Sequence, residues 1–209
     1  RTALGIPEDN LSILYTPTYR DGVTDFDPGF DPVKFVESLD DNVTLLIRSH
    51  HAYSAGSRVA RLAREGRILD VSSLPEIAPL YLAADVLVCD YSSTMFDYAN
   101  LARPIIIFGP DWEQYQRARG TYFDIMEEPP GATARSLAEL VRVVRDREYE
   151  SPAAKELLAT FRARFCEFED GRATERVVRR LFLDEPQEAV RPVNGDPSPL
   201  RTWNLERPG

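Results

Sequence analysis

The sequence predicts an α/β fold built on a doubly wound parallel sheet, and three observations lead to this prediction. Five short runs rich in β-branched residues recur along residues 11–108. Most of these runs are continuously apolar rather than alternating, as expected for parallel strands that are covered on both faces. Segments with helical periodicity separate several of the runs, and this alternation is typical of doubly wound domains.

The predicted elements follow one another in strict alternation over the first half of the chain. The helix at 32–39 has Pro32 in its first turn, where the missing N–H would have no partner in any case. Residues 75–84 carry apolar side chains at the spacing of one helical face. The predicted strands are 11–15, 43–48, 67–71, 86–89 and 104–108, and the predicted helices are 32–39, 54–65, 75–84, 94–101, 136–146, 153–165 and 173–183.

Two regions of different composition divide the chain. Residues 1–183 contain all the predicted elements and are expected to form one domain, because a 209-residue chain with 43% hydrophobic residues can build a substantial core. Residues 184–209 are rich in proline and lack periodicity, so they are expected to form an extended tail. The inward residues of the last helix are expected to be Val177, Val178, Leu181 and Phe182.

Charge and cysteine content exclude several classes of protein. The net charge of −9 argues against nucleic-acid binding, which needs a basic face to neutralise phosphates. The two cysteines are far apart, so neither a disulfide framework nor a zinc site is indicated, and a reducing, cytoplasmic compartment fits best. No apolar run approaches the length of a transmembrane helix. The start at Arg1, without a signal peptide or an initiator methionine, is typical of a piece of a longer protein.

Ligands of doubly wound sheets bind beyond the carboxyl ends of the strands, so the loops at those ends hold the candidate site. Arg20 follows the first strand and would contact an anion there, although an ordinary proline turn explains the same residues equally well. Arg48, His50 and His51 follow the second strand. We expect Arg48 to bind phosphate and His50 to act as an acid-base or electrostatic group, whereas His51 is explained by a structural or surface role.

The string CDYSSTMFD at 89–97 follows the fourth strand and places three hydroxyl side chains between two acids. Ser93 or Thr94 is expected to cap the next helix, and Thr94 with Asp97 has the spacing of a capping box. Ser92 and Ser93, with the free N–H groups of the helix start, are expected to hold a diphosphate. Asp97 would repel phosphate, so it is expected to bind a ribose or glycerol hydroxyl or to take part in capping the helix. Asp90 is expected to hold the loop through backbone hydrogen bonds.

A basic and aromatic loop is predicted after the fifth strand, at 109–122. Its Arg119 would contact a ligand if this loop closes over the site, although arginine pairs more often lie on a solvated surface. The sequence contains neither a P-loop nor a G-x-G-x-x-G motif, which disfavours a Walker NTPase and a dinucleotide dehydrogenase. No pattern requires a metal or another cofactor. The candidate substrate-binding residues are therefore Arg20, Arg48, Ser92, Ser93, Thr94, Asp97 and Arg119, and the candidate catalytic residue is His50.

Several segments together resemble one known family. In chain order they read ILYTPTYRDG, LLIRSHH, the long run that ends in CDYSSTMFDYANLARPIIIF, RARGTYFDIMEEPPG and FCEFEDGRATERVV. They are collinear over about residues 5–183 with the carboxyl-terminal half of the CDP-glycerol glycerophosphotransferases, which prime and polymerise the glycerol-phosphate chains of wall teichoic acid. The D-Y-S-S-x-x-F-D-Y string followed by R-P is the most specific part of the resemblance.

The resemblance implies the Rossmann-like, nucleotide-binding carboxyl-terminal domain of a GT-B glycosyltransferase architecture. Members of the family transfer glycerol 3-phosphate from CDP-glycerol, a substrate rather than a cofactor, to a hydroxyl of a lipid-linked acceptor and release CMP. Such an enzyme is expected to be cytoplasmic and peripheral at the inner face of the membrane. The family histidine of the R-x-H segment falls on His50, and the family serines fall on Ser92 and Ser93.

One part of the family pattern has no counterpart in this chain. A second histidine, in a W-H-G-T-P-type motif of the amino-terminal acceptor domain, is missing, so this chain alone is expected to bind donor but to transfer little. The RSHH segment does not distinguish CDP-glycerol from CDP-ribitol. Two further alternatives stay open: another GT-B transferase or epimerase that uses a nucleotide-sugar, and a non-catalytic module whose acidic surface and proline-rich tail recruit a partner.

Overall fold

The computed structural model describes residues 1–18, 29–49 and 67–185. Within these ranges the chain forms one six-stranded sheet in which every pairing is parallel, and helices flank it. The predicted α/β fold class is therefore confirmed. The strands are β1 (Leu11–Thr16), β2 (Val43–Ile47), β3 (Ile68–Asp70), β4 (Val86–Cys89), β5 (Ile105–Phe108) and β6 (Ala132–Ala134).

The strand order is β3-β2-β1-β4-β5-β6, the order of the Rossmann fold. The chain first builds outward from β1 through β2 to β3, then returns to place β4 on the other side of β1. Tyr15 of β1 is thus paired with Ile47 of β2 on one side and with Val88 of β4 on the other. The order reverses between β1 and β4, and this switch point opens a crevice at their carboxyl ends.

Seven α-helices are present in the described part of the chain, and most lie where the sequence predicts them. Most of their ends lie one to three residues inside the predicted bounds because the terminal turns are not helical, whereas the helix predicted at 153–165 begins one residue earlier. The helix predicted at 54–65 lies outside the described residues. The helices are α1 (Pro32–Glu37), α2 (Ala78–Ala83), α3 (Thr94–Ala99), α4 (Trp112–Arg119), α5 (Leu137–Arg145), α6 (Pro152–Phe165) and α7 (Ala173–Phe182).

Helix α4 corrects the loop predicted after the fifth strand. Its eight residues are mostly polar, and only Trp112 among them is buried, so the sequence lacks the apolar stripe by which helices are recognised. The helix ends at Gly120, whose φ of 70° lies in the left-handed region that glycine adopts without strain. Arg119 is therefore the last residue of a helix and not part of a mobile loop over the site.

Strand β6 is absent from the sequence prediction because Ala132, Thr133 and Ala134 form no apolar run. It forms because the preceding glycine allows the two backbones to approach. A Cβ atom on Gly131 would lie 2.2 Å from the carbonyl oxygen of Ile105, the first residue of β5. A single residue without a side chain thus starts the β5–β6 pairing.

The core lies on both faces of the sheet, as the continuously apolar strands predict. Consecutive residues of one strand, such as Ile13 and Leu14, point to opposite faces and are both fully buried. On one face Phe30 lies 4.8 Å from the Tyr15 ring and 5.3 Å from the Phe108 ring, measured between centroids. This aromatic cluster joins residues near the carboxyl ends of β1 and β5.

The chain divides into two compact units, residues 1–162 and 163–209. In the second unit, α7 exposes all four side chains that were expected to face inward: Val177, Val178, Leu181 and Phe182. That expectation is wrong because, in the described part of this unit, no second element packs over the apolar stripe of the helix. The domain boundary predicted at residue 183 stays a prediction. Over the described ranges, no helix has the length and apolarity needed to cross a bilayer.

Candidate functional site

Hydroxyl groups join the ends of β1 and β4 at the switch point of the sheet. The Thr94 Oγ1 lies 2.9 Å from the Thr16 Oγ1 and donates to the Ser92 Oγ at 3.1 Å. Ser92 is half-buried and Ser93 is exposed. The CDYSSTMFD string and the end of β1 therefore share one hydrogen-bonded set of side chains that faces the crevice.

The capping roles expected of Ser93, Thr94 and Asp97 are not observed. Ser93 occupies the N-cap position of α3, but its φ of −64° and ψ of −12° are helical, and its side chain accepts no capping hydrogen bond. Ser92 instead accepts from the Thr94 N–H at 3.3 Å. Helical angles at the N-cap position turn the side chain away from the N–H groups that it would cap. A capping role therefore no longer explains Asp97, which is exposed.

Asp90 performs the structural role expected of it. Its side chain is buried and accepts from the Thr18 N–H at 2.9 and 3.0 Å, and the Thr18 hydroxyl also donates to it. These bonds fasten the loop that follows β1 to the loop that follows β4. The two walls of the crevice are thus held together by one carboxylate.

Arg48 lies at the carboxyl end of β2 with its guanidinium held by main-chain carbonyls. The Nη1 donates to the Leu74 carbonyl at 2.6 Å and to the Val71 carbonyl at 3.4 Å. Ser49 bonds Ser72 in the same pair of loops, through its N–H at 2.9 Å and its hydroxyl at 2.8 Å. Among the described residues, the other two nitrogens of Arg48 form no hydrogen bond, so they stay available to an anion.

Three other expectations about the site have different outcomes. Arg20 and His50 both lie outside the described residues, and their roles stay predictions. Arg119 is exposed and is the last residue of α4, seven residues and about 10 Å along the helix from Trp112. Its contact with a ligand stays a prediction.

An aromatic cluster beside the site was not predicted. The Tyr91 hydroxyl donates to the Asp111 Oδ1 at 2.8 Å, and the Tyr91 ring lies 4.2 Å from the Tyr115 ring and 5.3 Å from the Trp112 ring, between centroids. These contacts fix the loop after β4 against the start of α4. The only sequence signal for these contacts is the tyrosine inside the DYSS string.

Tyr81 of α2 is a second residue that sequence reasoning assigned only to a helical face. Its side chain is 7% exposed, and its pKa lies above the usual range of a tyrosine, first because burial disfavours the phenolate and second because the Asp97 carboxylate lies nearby. The Cys89 thiol acts in the same direction, and the Arg48 guanidinium acts against it. Tyr81 thus lies near the carboxyl edge of the sheet, close to the ends of β2 and β4 and to α3.

Burial also raises the pKa of the Cys89 thiol, and the neighbouring Asp90 carboxylate adds to this effect. The thiol stays protonated near neutral pH and has no nucleophilic role. In the ranges that the structure describes, no group of three or more His, Cys, Asp or Glu side chains is arranged to hold a metal ion.

Residues 1–183 match the model of the family described as CDP-glycerol:poly(glycerophosphate) glycerophosphotransferase. The chain belongs to this family. The matched range includes every described strand and all seven described helices. The resemblance inferred from the DYSS string and its companion segments is thereby confirmed.

Curated relatives agree with this assignment. The chain is 34% identical to the teichoic acid glycerol-phosphate transferase of Staphylococcus aureus over 87% of its own length and 48% of the relative. It is 33% identical to the teichoic acid poly(glycerol phosphate) polymerase of Bacillus subtilis, over 88% of the chain and 26% of the relative. A teichoic acid poly(ribitol-phosphate) polymerase of Bacillus spizizenii is 30% identical over 88% of the chain and 29% of that relative. The chain thus spans about a quarter to a half of the length of these relatives.

A solved structure of the family has the same fold. The wall teichoic acid polymerase TagF, in a variant soaked with CDPG, superposes with a TM-score of 0.72 at 30% sequence identity. The match covers 88% of this chain and 44% of that one. The six-stranded sheet described above therefore corresponds to one part of that longer polymerase chain.

Proposed function

We propose that this chain is the donor-binding part of a CDP-glycerol glycerophosphotransferase, which transfers glycerol phosphate from CDP-glycerol to a lipid-linked, teichoic-acid-type acceptor and releases CMP. The observation that carries the proposal is the joined set of hydroxyls at the switch point, formed by Thr16, Ser92 and Thr94. Nucleotides bind doubly wound sheets at this point. Family membership supports CDP-glycerol as that nucleotide.

The proposed reaction is a displacement at phosphorus. A hydroxyl oxygen of the acceptor forms a bond to the phosphorus that carries glycerol, while the bond from that phosphorus to the bridging oxygen breaks. CMP leaves with the bridging oxygen and its electron pair, and the hydroxyl proton passes to a general base. Negative charge therefore accumulates on the departing CMP.

Three described residues at the carboxyl edge of the sheet stabilise that negative charge. Ser92 and Ser93 donate hydrogen bonds to the diphosphate, and Arg48 directs its two unoccupied nitrogens toward it. A donor of this kind typically contributes about 2.7 to 4 kcal/mol to stabilising a transition state. Helix α3 has only six residues, so the hydroxyls and the guanidinium carry more of the binding than its dipole does.

The remaining proposed roles follow from residue chemistry and from the family. His50 is the catalytic histidine, Arg20 and Arg119 contact the anionic donor, and Thr94 keeps Ser92 in place. Asp97 binds a hydroxyl of the ribose or of glycerol, because a carboxylate accepts from hydroxyls and repels phosphate. The charge on CMP is handled by these side chains, so the proposal includes no metal and no other cofactor.

The proposed partners are CDP-glycerol, the lipid-linked glycerol-phosphate acceptor and an amino-terminal domain that provides the acceptor side. The net charge of −9 is the reason for proposing no nucleic-acid partner. A lipid-linked acceptor requires the enzyme to work at a membrane surface. We therefore place it in the cytoplasm, bound peripherally at the inner face of the cell membrane.

The decisive experiment is a calorimetric titration of the chain with CDP-glycerol. We expect wild type to bind and the Ser92→Ala/Ser93→Ala double variant to bind at least about tenfold more weakly, because it loses two hydrogen bonds to a charged group. Ser136→Ala removes a hydroxyl that caps α5 instead, and it should bind like wild type. Equal affinities of wild type and the double variant would refute the role assigned to the serines.

Competition separates the alternative functions. CDP-ribitol is the second candidate, since a ribitol-phosphate polymerase is among the relatives at 30% identity. Stronger binding of CDP-ribitol than of CDP-glycerol would transfer the proposal to that donor. Stronger binding of a UDP-sugar would indicate a different nucleotide-sugar enzyme. A chain that binds no nucleotide, and whose parent enzyme is unaffected by His50→Ala, would instead be a non-catalytic module.

A further inference from the structure

The Tyr81 hydroxyl is a buried polar group without a hydrogen bond. Its oxygen is inaccessible to solvent and has no hydrogen-bond partner among the described residues. Tyr98, whose ring packs edge-on against Tyr81 with centroids 5.7 Å apart, donates its own hydroxyl to the Ala84 carbonyl at 3.1 Å. A buried hydroxyl that stays unpaired beside a paired one requires a reason, because burial without a partner is unfavourable.

The surroundings of Tyr81 supply that reason. Its ring contacts Tyr98, the residue that follows Asp97 in α3, so α2 and α3 pack together at this position. The Asp97 carboxylate raises the pKa of Tyr81 through its charge and, more weakly, as a hydrogen-bond acceptor. The two groups nevertheless form no hydrogen bond of ordinary length and angle. The Arg48 guanidinium also acts on the same hydroxyl. A buried hydroxyl donor thus lies near an exposed carboxylate.

An unpaired buried hydroxyl is not enough by itself, as Tyr149 demonstrates. The Tyr149 hydroxyl is also buried and unpaired among the described residues. Its charged neighbours are Arg147, Glu150 and Asp85, and Asp85 directly precedes β4. Tyr149 therefore lies toward the amino ends of the strands, away from the crevice. What distinguishes Tyr81 is its place between Asp97 and Arg48 at the carboxyl edge.

We infer that Tyr81 is a positioning residue of the donor site: its hydroxyl donates to one oxygen of Asp97 when the donor binds and holds the other oxygen toward a hydroxyl of that donor. The inference rests on the donor-binding function proposed above and adds a residue to it. Tyr81 does not touch the nucleotide. It fixes the rotamer of an exposed carboxylate that would otherwise lose several orientations on binding.

A double-mutant cycle on the affinity for CDP-glycerol tests this inference. Tyr81→Phe removes only the hydroxyl, and we expect it to weaken binding about tenfold, the loss of one hydrogen bond to a charged group. Asp97→Asn should weaken binding at least as much. Because Tyr81 acts through Asp97, the double variant should bind no more weakly than Asp97→Asn alone. If Tyr81 had a merely structural role, independent of Asp97, the affinity loss of the double variant would equal the product of the two single-variant losses.

Tyr149→Phe is the matched control, since it also removes a buried and unpaired hydroxyl. It should bind CDP-glycerol within twofold of wild type, and thermal melts should show both phenylalanine variants folded. If wild type binds and Tyr81→Phe binds equally well, or if the losses in the cycle multiply, the positioning role is refuted and the proposed function stands. If wild type itself binds no CDP-glycerol, the proposed function is refuted and this inference with it.

Discussion

Two acids of the CDYSSTMFD string have opposite surroundings. Asp90 is 3% exposed and receives three hydrogen bonds from Thr18, whereas Asp97 is exposed. Residue type alone does not separate them, since both are aspartates near the end of β4. The two residues differ in burial. The Asp90 carboxylate is enclosed between two loops, and the Asp97 carboxylate is exposed on a short helix.

This difference predicts opposite effects on stability and on binding. Asp90→Ala should lower the free energy of unfolding by about 1–3 kcal/mol, because the buried Thr18 N–H loses its acceptor. Asp97→Ala should change it by less than about 0.5 kcal/mol, as is usual for an exposed residue, while weakening donor binding. Urea denaturation followed by circular dichroism measures both. A larger destabilisation by Asp97→Ala than by Asp90→Ala would contradict this assignment.

Helix starts show how an element is stabilised, and α5 contrasts with α3. Ser136 has extended backbone angles and accepts from the Glu139 N–H at 3.2 Å, while the Glu139 carboxylate accepts from the Arg135 N–H at 2.8 Å. Ser93 precedes α3 at the equivalent position and makes no such bond. A serine before a helix therefore caps it only where its backbone is extended.

The difference between these two helix starts predicts different effects of serine substitutions on the free energy of unfolding. Ser136→Ala should lower the free energy of unfolding by about 1 kcal/mol through the loss of a working cap. Ser93→Ala should leave it within about 0.5 kcal/mol of wild type, because no hydrogen bond of its side chain is lost at the helix start. Chemical denaturation of both variants under one set of conditions gives the comparison. If Ser93→Ala is the more destabilising change, then Ser93 caps α3 in solution and its assignment to ligand binding is weakened.

At the scale of the whole molecule, the strand order decides where a ligand can bind. β1 is central and has β2 and β4 as its neighbours, so the loops after these three strands surround one crevice. The hydroxyls come from β1 and from the string after β4, and Arg48 comes from the end of β2. The site is therefore assembled from three distant parts of the chain by the topology of the sheet.

The second unit carries a different feature, the apolar stripe of α7. Leu181 is 72% exposed and Phe182 is 78% exposed. Changing both to glutamate should alter the free energy of unfolding by less than about 0.5 kcal/mol and should reduce self-association, because exposed apolar patches promote association. Denaturation and light scattering measure the two effects.

Leu140 of α5, which is fully buried, provides the comparison for this prediction. Leu140→Ala should cost about 2–5 kcal/mol, the usual range for removing a buried leucine side chain. A comparable cost for the glutamate variant of α7 would mean that its stripe is covered in solution, contrary to the exposure described above.

The sequence by itself determined the fold class, the five apolar strands, most of the helices and the family. These features depend on local patterns. Strands that are covered on both faces are continuous apolar runs, and apolar residues recur every three to four positions in amphipathic helices. The DYSS string is contiguous in the sequence. The same local view assigned Asp90 correctly to loop structure. Local patterns did not predict α4 and β6. These two elements lack an apolar pattern and depend on contacts with neighbouring parts of the structure.

Only the tertiary structure decided how the edge of the sheet is assembled. Strand pairing sets Thr16 beside Thr94, and helix packing sets Tyr81 beside Asp97. Neither contact has a signature in sequence, because each joins residues whose separation along the chain carries no information about their distance in space. The backbone angles of Ser93 likewise depend on how β4 meets α3, and they turned an expected cap into a free hydroxyl at the crevice.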